Sequence, residues 1–140
     1  MNANTNFFDI SLDDIADLPE FKNFPPGAYQ VEVSLERKDI NKHPAVVFNL
    51  KCLKVLELVN PDDEEIAEGT ESNVSYMMDN EFGAGKFKVI VAPLAELYET
   101  RNVAEIIRKA KNVSALVVIG SRKAKETNKE YMELISLEII

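Results

Sequence analysis

The residues after Gly27 alternate between apolar and polar side chains. Val31, Val33 and Leu35 fall on one face, and the polar residues between them fall on the other. Successive side chains of a β-strand point to opposite faces, so this alternation predicts a half-buried strand. The segment 37–44 that follows is polar and contains Asn and Pro, which predicts a loop.

Two further strands are predicted before residue 80. The segment 45–58 is rich in Val, Leu and Phe and is long enough for a strongly bent strand that forms a hairpin with the first. The segment 60–69 opens on an Asn-Pro pair and is acidic, which predicts an exposed loop. Apolar and polar residues alternate again over 70–78, and this pattern predicts the third strand.

The middle of the chain changes to helical spacing. The segment 79–85 contains two glycines and predicts a loop, after which apolar residues recur every three or four positions over 87–98. Pro93 is expected to bend or split this first helix. Asn102 and Glu105 have the spacing of a capping box, which predicts a second helix that runs to residue 112.

Two closing strands complete the pattern. The segment 113–119 is almost wholly apolar, 131–140 is strand-like, and the basic segment 121–130 between them predicts a loop. Three strands, a helical connection and two strands form the layout of an OB-fold. We therefore predict a mainly β domain with a helical insert, a five-stranded OB-type β-barrel with the strand order β1-β2-β3-α-β4-β5.

The first 26 residues differ in composition from the rest. They mix acidic and large apolar side chains and end at Pro25-Pro26, so we predict an N-terminal arm over 1–26 that leads into a domain over 27–140. Ser11, with Asp14 three residues later, can cap a short helix. The arm is expected to contact a partner subunit, a replication enzyme or the domain's own groove. The side chains predicted for that contact are Phe7, Phe8, Asp9, Asp13, Asp14 and Asp17.

Length and composition are those of one ordinary domain. A chain of 140 residues with 46% apolar residues can bury about two-thirds of its unfolded surface in a single core. No signal peptide and no apolar run of about 18 residues are found, so we predict a soluble protein without membrane contact. Cys52 is the single cysteine and lies in an apolar segment, which predicts a buried side chain and a reducing, cytoplasmic setting.

The charge of the chain is unevenly distributed. A net charge of -8 argues against a simple basic nucleic-acid binder. However, five bases and one acid lie in 37–54, four bases and one acid lie in 121–129, and nine acids without a base lie in 57–81. In OB-folds the loops between strands one and two and between strands four and five, with the face of strands two and three, commonly bind oligonucleotides. The element order and the charge pattern therefore predict the same binding surface.

The predicted cationic residues would follow a phosphate backbone along two rims of a groove. The alternative is that they are ordinary solvated loop residues. The two rims are formed by Arg37, Lys38, Lys42, His43, Arg122, Lys123, Lys125 and Lys129. Lys51 and Lys54 interrupt the apolar second strand. Lys51 shares a face with Asn49, so we expect it to lie on the floor of the groove; the alternative is an ordinary lysine that points to solvent.

Three rings are candidates for stacking on bases. Tyr131 opens the last strand beside the basic loop, and Phe82, in the glycine-rich segment, is predicted to be exposed or to plug the barrel end. Tyr76 lies on strand three, but its alternation with Val74 also fits the core, and Phe48 is expected to be a core residue by the same reasoning.

Catalytic and cofactor chemistry is not predicted. The single histidine and single cysteine cannot form a zinc site, and the segment 83–86 lacks the spacing of a phosphate-binding loop. No nucleophile and base pair can be proposed from spacing. We therefore expect no enzymatic activity, no metal and no cofactor.

Several segments are similar to one family of proteins. These are Phe24-Pro-Pro-Gly-Ala-Tyr-Gln-Val-Glu-Val, Pro44-Ala-Val-Val-Phe-Asn-Leu-Lys and Asp79-Asn-Glu-Phe-Gly-Ala-Gly-Lys-Phe-Lys, with a helical insert before two closing strands. In these features the chain resembles the OB-fold single-stranded DNA-binding proteins of bacteriophages. The resemblance implies sequence-independent coating or protection of single-stranded DNA during phage replication, recombination or repair, in the host cytoplasm if the chain is phage-encoded. The chain departs from that pattern because it has no Trp and no acidic C-terminal tail.

Other functions remain open at this stage. An acidic barrel can serve as a protein-interaction or inhibitory module, for example by mimicking nucleic acid, and β-rich domains also build virions. A homodimer is a further alternative, because an apolar last strand can leave an exposed edge that pairs with another subunit.

Overall fold

The computed structural model describes residues 11–14, 21–123 and 129–140. In these ranges the chain forms five β-strands and two α-helices. They are β1 (Gly27–Ile40), β2 (His43–Leu58), β3 (Glu71–Met77), α1 (Glu81–Tyr98), α2 (Val103–Lys109), β4 (Val113–Lys123) and β5 (Glu130–Ile139). A 3-10 turn at Leu12–Asp14 precedes them, and the Ser11 hydroxyl accepts the Asp13 N–H at 3.2 Å, where the sequence predicts a helix cap.

The strands form one antiparallel sheet in the order β3-β2-β1-β4-β5. The predicted strand order is therefore wrong, because the helical connection carries the chain from β3 back to the free edge of β1, where 27–33 pair with β4. In the described part of the chain β3 and β5 form no ladder with each other, so the sheet is not closed. The mainly β class with a helical insert is confirmed, and the layout is consistent with an OB-like fold.

The core lies between the inner face of the sheet and α1. Val31, Val33 and Leu35 are fully buried, as their alternation predicts. The rings of Phe48 and Phe87 pack edge to face with centroids 6.0 Å apart, and this contact joins β2 to α1. The β1–β2 ladder has two irregularities in the second half of β2, consistent with the bend predicted for this long strand.

The β1–β2 hairpin ends in a turn of two residues. Asn41 and Lys42 have φ angles of 50° and 68°, as in the type I′ turns that match the twist of paired strands. The prediction of a loop over 37–44 is therefore wrong. These residues continue the ladder up to the pairing of Ile40 with His43, and they are polar because this end of the hairpin is largely exposed.

The helix α1 begins earlier than predicted. The Asn80 side chain accepts the Gly83 N–H at 2.7 Å and caps the helix, so 81–85 are helical and not a loop. A Cβ on Gly83 would lie 2.2 Å from the Met77 carbonyl oxygen, which explains a glycine inside this helix. Pro93 lies within the continuous helix and does not split it.

The ends of α2 and β4 also differ from the prediction. The Asn102 side chain accepts the Glu105 N–H at 2.9 Å, as the capping pattern predicts, but α2 ends at Lys109 and not at residue 112. The predicted loop 121–130 is shorter than expected, because β4 continues to Lys123 and β5 begins at Glu130. Residues 124–128 lie outside the described ranges.

The segment before β1 packs between β3 and β5. Phe21 forms a parallel bridge with Glu71, and the Lys22 N–H donates to the Glu71 carbonyl at 3.0 Å. Phe24 is buried, and its N–H contacts the Met132 sulfur at 3.2 Å. The end of the predicted arm is thus part of the folded unit. None of the helices in the described part of the chain is long and apolar enough to span a membrane.

Two buried tyrosines predict a loss of stability at high pH. Burial raises the pKa of Tyr29 and of Tyr76 from 10 to about 12. Because the folded-state pKa is above the unfolded value of 10, the contribution of each neutral tyrosine to stability is fully present below pH 10. The free energy of unfolding should therefore fall between about pH 10 and 12. The expected slope is about 1.4 kcal/mol per pH unit for each tyrosine. Denaturant unfolding across this range checks it. An unchanged slope in Tyr29→Phe and Tyr76→Phe variants would contradict this origin.

Candidate nucleic-acid interface

A groove of about 490 Å³ lies along the open side of the sheet, between β3 and β5. We call it the seam groove. One wall is formed by 74–77 of β3, another by 132–135 of β5, and the first turns of α1 form the third. Among the residues that the structure describes, two cations, Lys86 and Arg122, and one acid, Glu133, line it. The groove therefore combines apolar walls with a positive balance of charge.

The first ring–cation pair of the groove lies on α1. Phe82 is 69% exposed, and the Lys86 Nζ lies 4.6 Å from its ring centroid, within the range of a cation–π contact. The predicted exposure of Phe82 is confirmed, although the residue begins a helix and not a loop. Lys86 is not among the predicted residues, because its spacing of four from Phe82 brings the two side chains together only on a helix.

The second ring–cation pair lies on the β4–β5 ladder. Arg122 stands directly opposite Tyr131, which is 44% exposed. Arg122 lines the seam groove, whereas Tyr131 lines a neighbouring pocket. Residues opposite each other in a ladder have Cβ atoms about 5 Å apart. Lys123 is exposed opposite Glu130, so a carboxylate partly offsets its charge. Of the other predicted cations of this cluster, Lys129 is exposed and Lys125 lies outside the described residues.

The cations of the β1–β2 hairpin lie near the start of α1. Arg37 and Lys38 are exposed neighbours on β1 and therefore point to opposite faces, and Lys42 occupies the turn. The His43 Nδ1 atom lies 2.5 Å from the Asp79 Oδ2 atom, and the next residue after Asp79, Asn80, lines the seam groove. Arg122 of the second basic cluster lines this groove, whereas the hairpin end approaches it through the contact of His43 with Asp79.

The outer face of β2 is less basic than predicted. Lys51 is exposed and shares this face with Asn49, but it pairs in register with Glu32 of β1 and Glu71 of β3. The two carboxylates offset its charge, so the sheet face is a poor floor for a phosphate backbone. Lys54 is exposed opposite the neutral Gln30. The candidate interface therefore follows the mouth of the seam groove.

Tyr76 is placed in the core. Its side chain is 7% exposed, and its ring lies 5.4 Å from Phe48 and 6.5 Å from Phe87, between centroids. Burial, with a smaller contribution from the Glu133 charge, raises its pKa. The core alternative for Tyr76 is confirmed, and Phe82 and Tyr131 are the two predicted rings with exposed faces.

Four of the six residues predicted to bind a partner through the arm lie outside the described residues. These are Phe7, Phe8, Asp9 and Asp17. Asp13 is exposed, and Asp14 ends the 3-10 turn. The partner contact of the arm therefore stays a prediction.

A scan against models of protein families found no match, and a search of the curated proteins found none.

Proposed function

We propose that this chain is an OB-like single-stranded DNA-binding protein that acts, without sequence preference, in phage DNA replication, recombination or repair. The observation that carries the proposal is the presence of two exposed rings, each next to a cation that lines the seam groove. The pairs are Phe82 with Lys86 and Tyr131 with Arg122. We call the two pairs and the cationic end of the β1–β2 hairpin the binding band.

Each part of the binding band can contact one chemical group of a single strand. Unpaired bases expose flat faces that stack on aromatic rings whatever the base, and cations between the rings neutralise the phosphates. Such contacts carry no sequence information, because every base has a π-face and every nucleotide a phosphate. In a duplex the base faces are stacked on one another and cannot contact protein rings, so the binding band should prefer single strands.

The acidic remainder of the domain is compatible with this function. The loop between β2 and β3 and its flanks contain most of the nine acids of 57–81. Like charges repel a polyanion, so these surfaces would confine a bound strand to the binding band. Because the band holds few rings, phosphate contacts should contribute a large part of the affinity.

Removal of either exposed ring should weaken DNA binding. Stacking contributes about 1–3 kcal/mol per base, so Phe82→Ala or Tyr131→Ala should each weaken binding about 5- to 150-fold. Fluorescence anisotropy with a labelled single-stranded oligonucleotide measures the change. Val59→Ala is the matched control, because Val59 is exposed and apolar but does not line the seam groove. Wild-type affinity in both ring variants would count against stacking at the binding band.

A further inference from the structure

The two edge strands of the sheet face each other across the seam groove. In the described part of the chain β3 and β5 each pair with one strand, β2 and β4 respectively, and form no ladder across the groove. An edge strand presents backbone N–H and C=O groups that an additional strand can bind. The walls of the groove at 74–77 and 132–135 belong to these two edges.

The chain itself adds an extended segment to this seam at one end. Phe21 bridges Glu71 at the start of β3, and the Lys22 N–H donates to the Glu71 carbonyl. Next to them the Ser72 hydroxyl contacts the Asn23 Oδ1 atom at 3.4 Å. An extended backbone segment therefore packs beside the start of β3, and the seam groove lies farther along the same strand.

Apolar side chains are exposed along the groove. Phe82, Val89 and Ile135 line it, with exposures of 69%, 72% and 57%. Contiguous exposed apolar groups rimmed by polar residues mark interaction sites. The charges at the groove, Lys86 and Arg122 against Glu133, select a partner with acidic side chains.

We propose that the seam groove is a docking site for an extended peptide strand of a partner protein. The strand adds to the β3 edge, places apolar side chains against Val89 and Ile135, and pairs acidic side chains with Lys86 and Arg122. This mode is strand addition, in which main-chain hydrogen bonds give affinity and the side-chain sites give specificity. The site goes beyond DNA binding, and because Lys86 and Arg122 belong to the binding band as well, peptide and oligonucleotide should compete.

The probe is a synthetic peptide of about ten residues that alternates Val and Glu, with blocked ends, titrated against the full chain. Two controls replace Glu by Lys or place Pro at two central positions, because Pro removes the donors that a strand needs. We expect the Val/Glu peptide to bind about tenfold or more tightly than either control. No binding, or equal binding of the Pro peptide, would overturn strand addition.

Variants of the chain test the location of the site. Ile135→Ala and Val89→Ala should each weaken peptide binding several-fold, whereas Val59→Ala, exposed away from the groove, should not. A Lys86→Glu and Arg122→Glu double variant should reverse the preference toward the Val/Lys peptide. If the preference for Val/Glu survives that exchange, the proposal is wrong. Single-stranded DNA binding is measured separately on the wild-type chain, so failure of either function leaves the other testable.

Discussion

Replacement of Phe48 by alanine should lower the free energy of unfolding by about 3–5 kcal/mol. Phe48 is fully buried, and its ring packs against Tyr76 of β3 and Phe87 of α1. The substitution removes a large apolar side chain and leaves a cavity where β2, β3 and α1 meet. Denaturant unfolding followed by circular dichroism measures the loss.

The matched control is the same substitution at an exposed ring. Phe82 is 69% exposed, so Phe82→Ala should change the free energy of unfolding by about 1 kcal/mol or less. If Phe48→Ala costs no more than Phe82→Ala, the ring cluster is not the structural core described here.

Removal of four cations from the binding band should weaken single-stranded DNA binding about 100- to 1,000-fold near 0.1 M salt. Each phosphate neutralised on a single strand contributes about 0.7 to the slope of log affinity against log salt, so the slope should also fall by up to about 3. Anisotropy titrations at several salt concentrations measure both changes. The variant carries Lys38→Gln, Lys42→Gln, Lys86→Gln and Arg122→Gln.

A second variant separates position from net charge. It removes four exposed cations on or next to the helices and therefore changes the net charge by the same amount. These are Lys88→Gln, Arg101→Gln, Arg108→Gln and Lys109→Gln. We expect a small loss of affinity in this variant. An equal loss in both would mean that total charge, and not the binding band, determines the interaction.

The strands with one buried face could be predicted from the sequence because their periodicity is local. Val31, Val33 and Leu35 are buried as their alternation predicts, and the same reasoning assigns Phe48 to the core. The hairpin end was different. Where both faces of a ladder are largely exposed, most residues are polar, and the pattern over 37–44 could not be distinguished from a loop.

Features that depend on tertiary contacts could not be predicted. The position of β1 at the centre of the sheet follows from the return of the chain through the helices, which no local pattern encodes. The close approach of the Met77 carbonyl explains the glycine at position 83 inside α1, whereas in the sequence alone the glycines of 79–85 indicate a loop.

The sequence predicted the types of residue at the candidate site better than their arrangement in space. Phe82 and Tyr131 are exposed, as stacking requires, and Arg122 lines the groove. Lys51, however, lies between Glu32 and Glu71, a placement set by strand register. Charge along the sequence therefore overstated the basic character of the sheet face.

The most direct test of the central claim is the binding of the unmodified chain to DNA. Labelled single-stranded and double-stranded oligonucleotides of equal length are titrated with the wild-type chain at low and at moderate salt. We predict binding of single strands of any sequence at low salt, weaker binding of duplex, and a marked loss of affinity as salt rises. Absence of single-strand binding at low salt would contradict the proposed function.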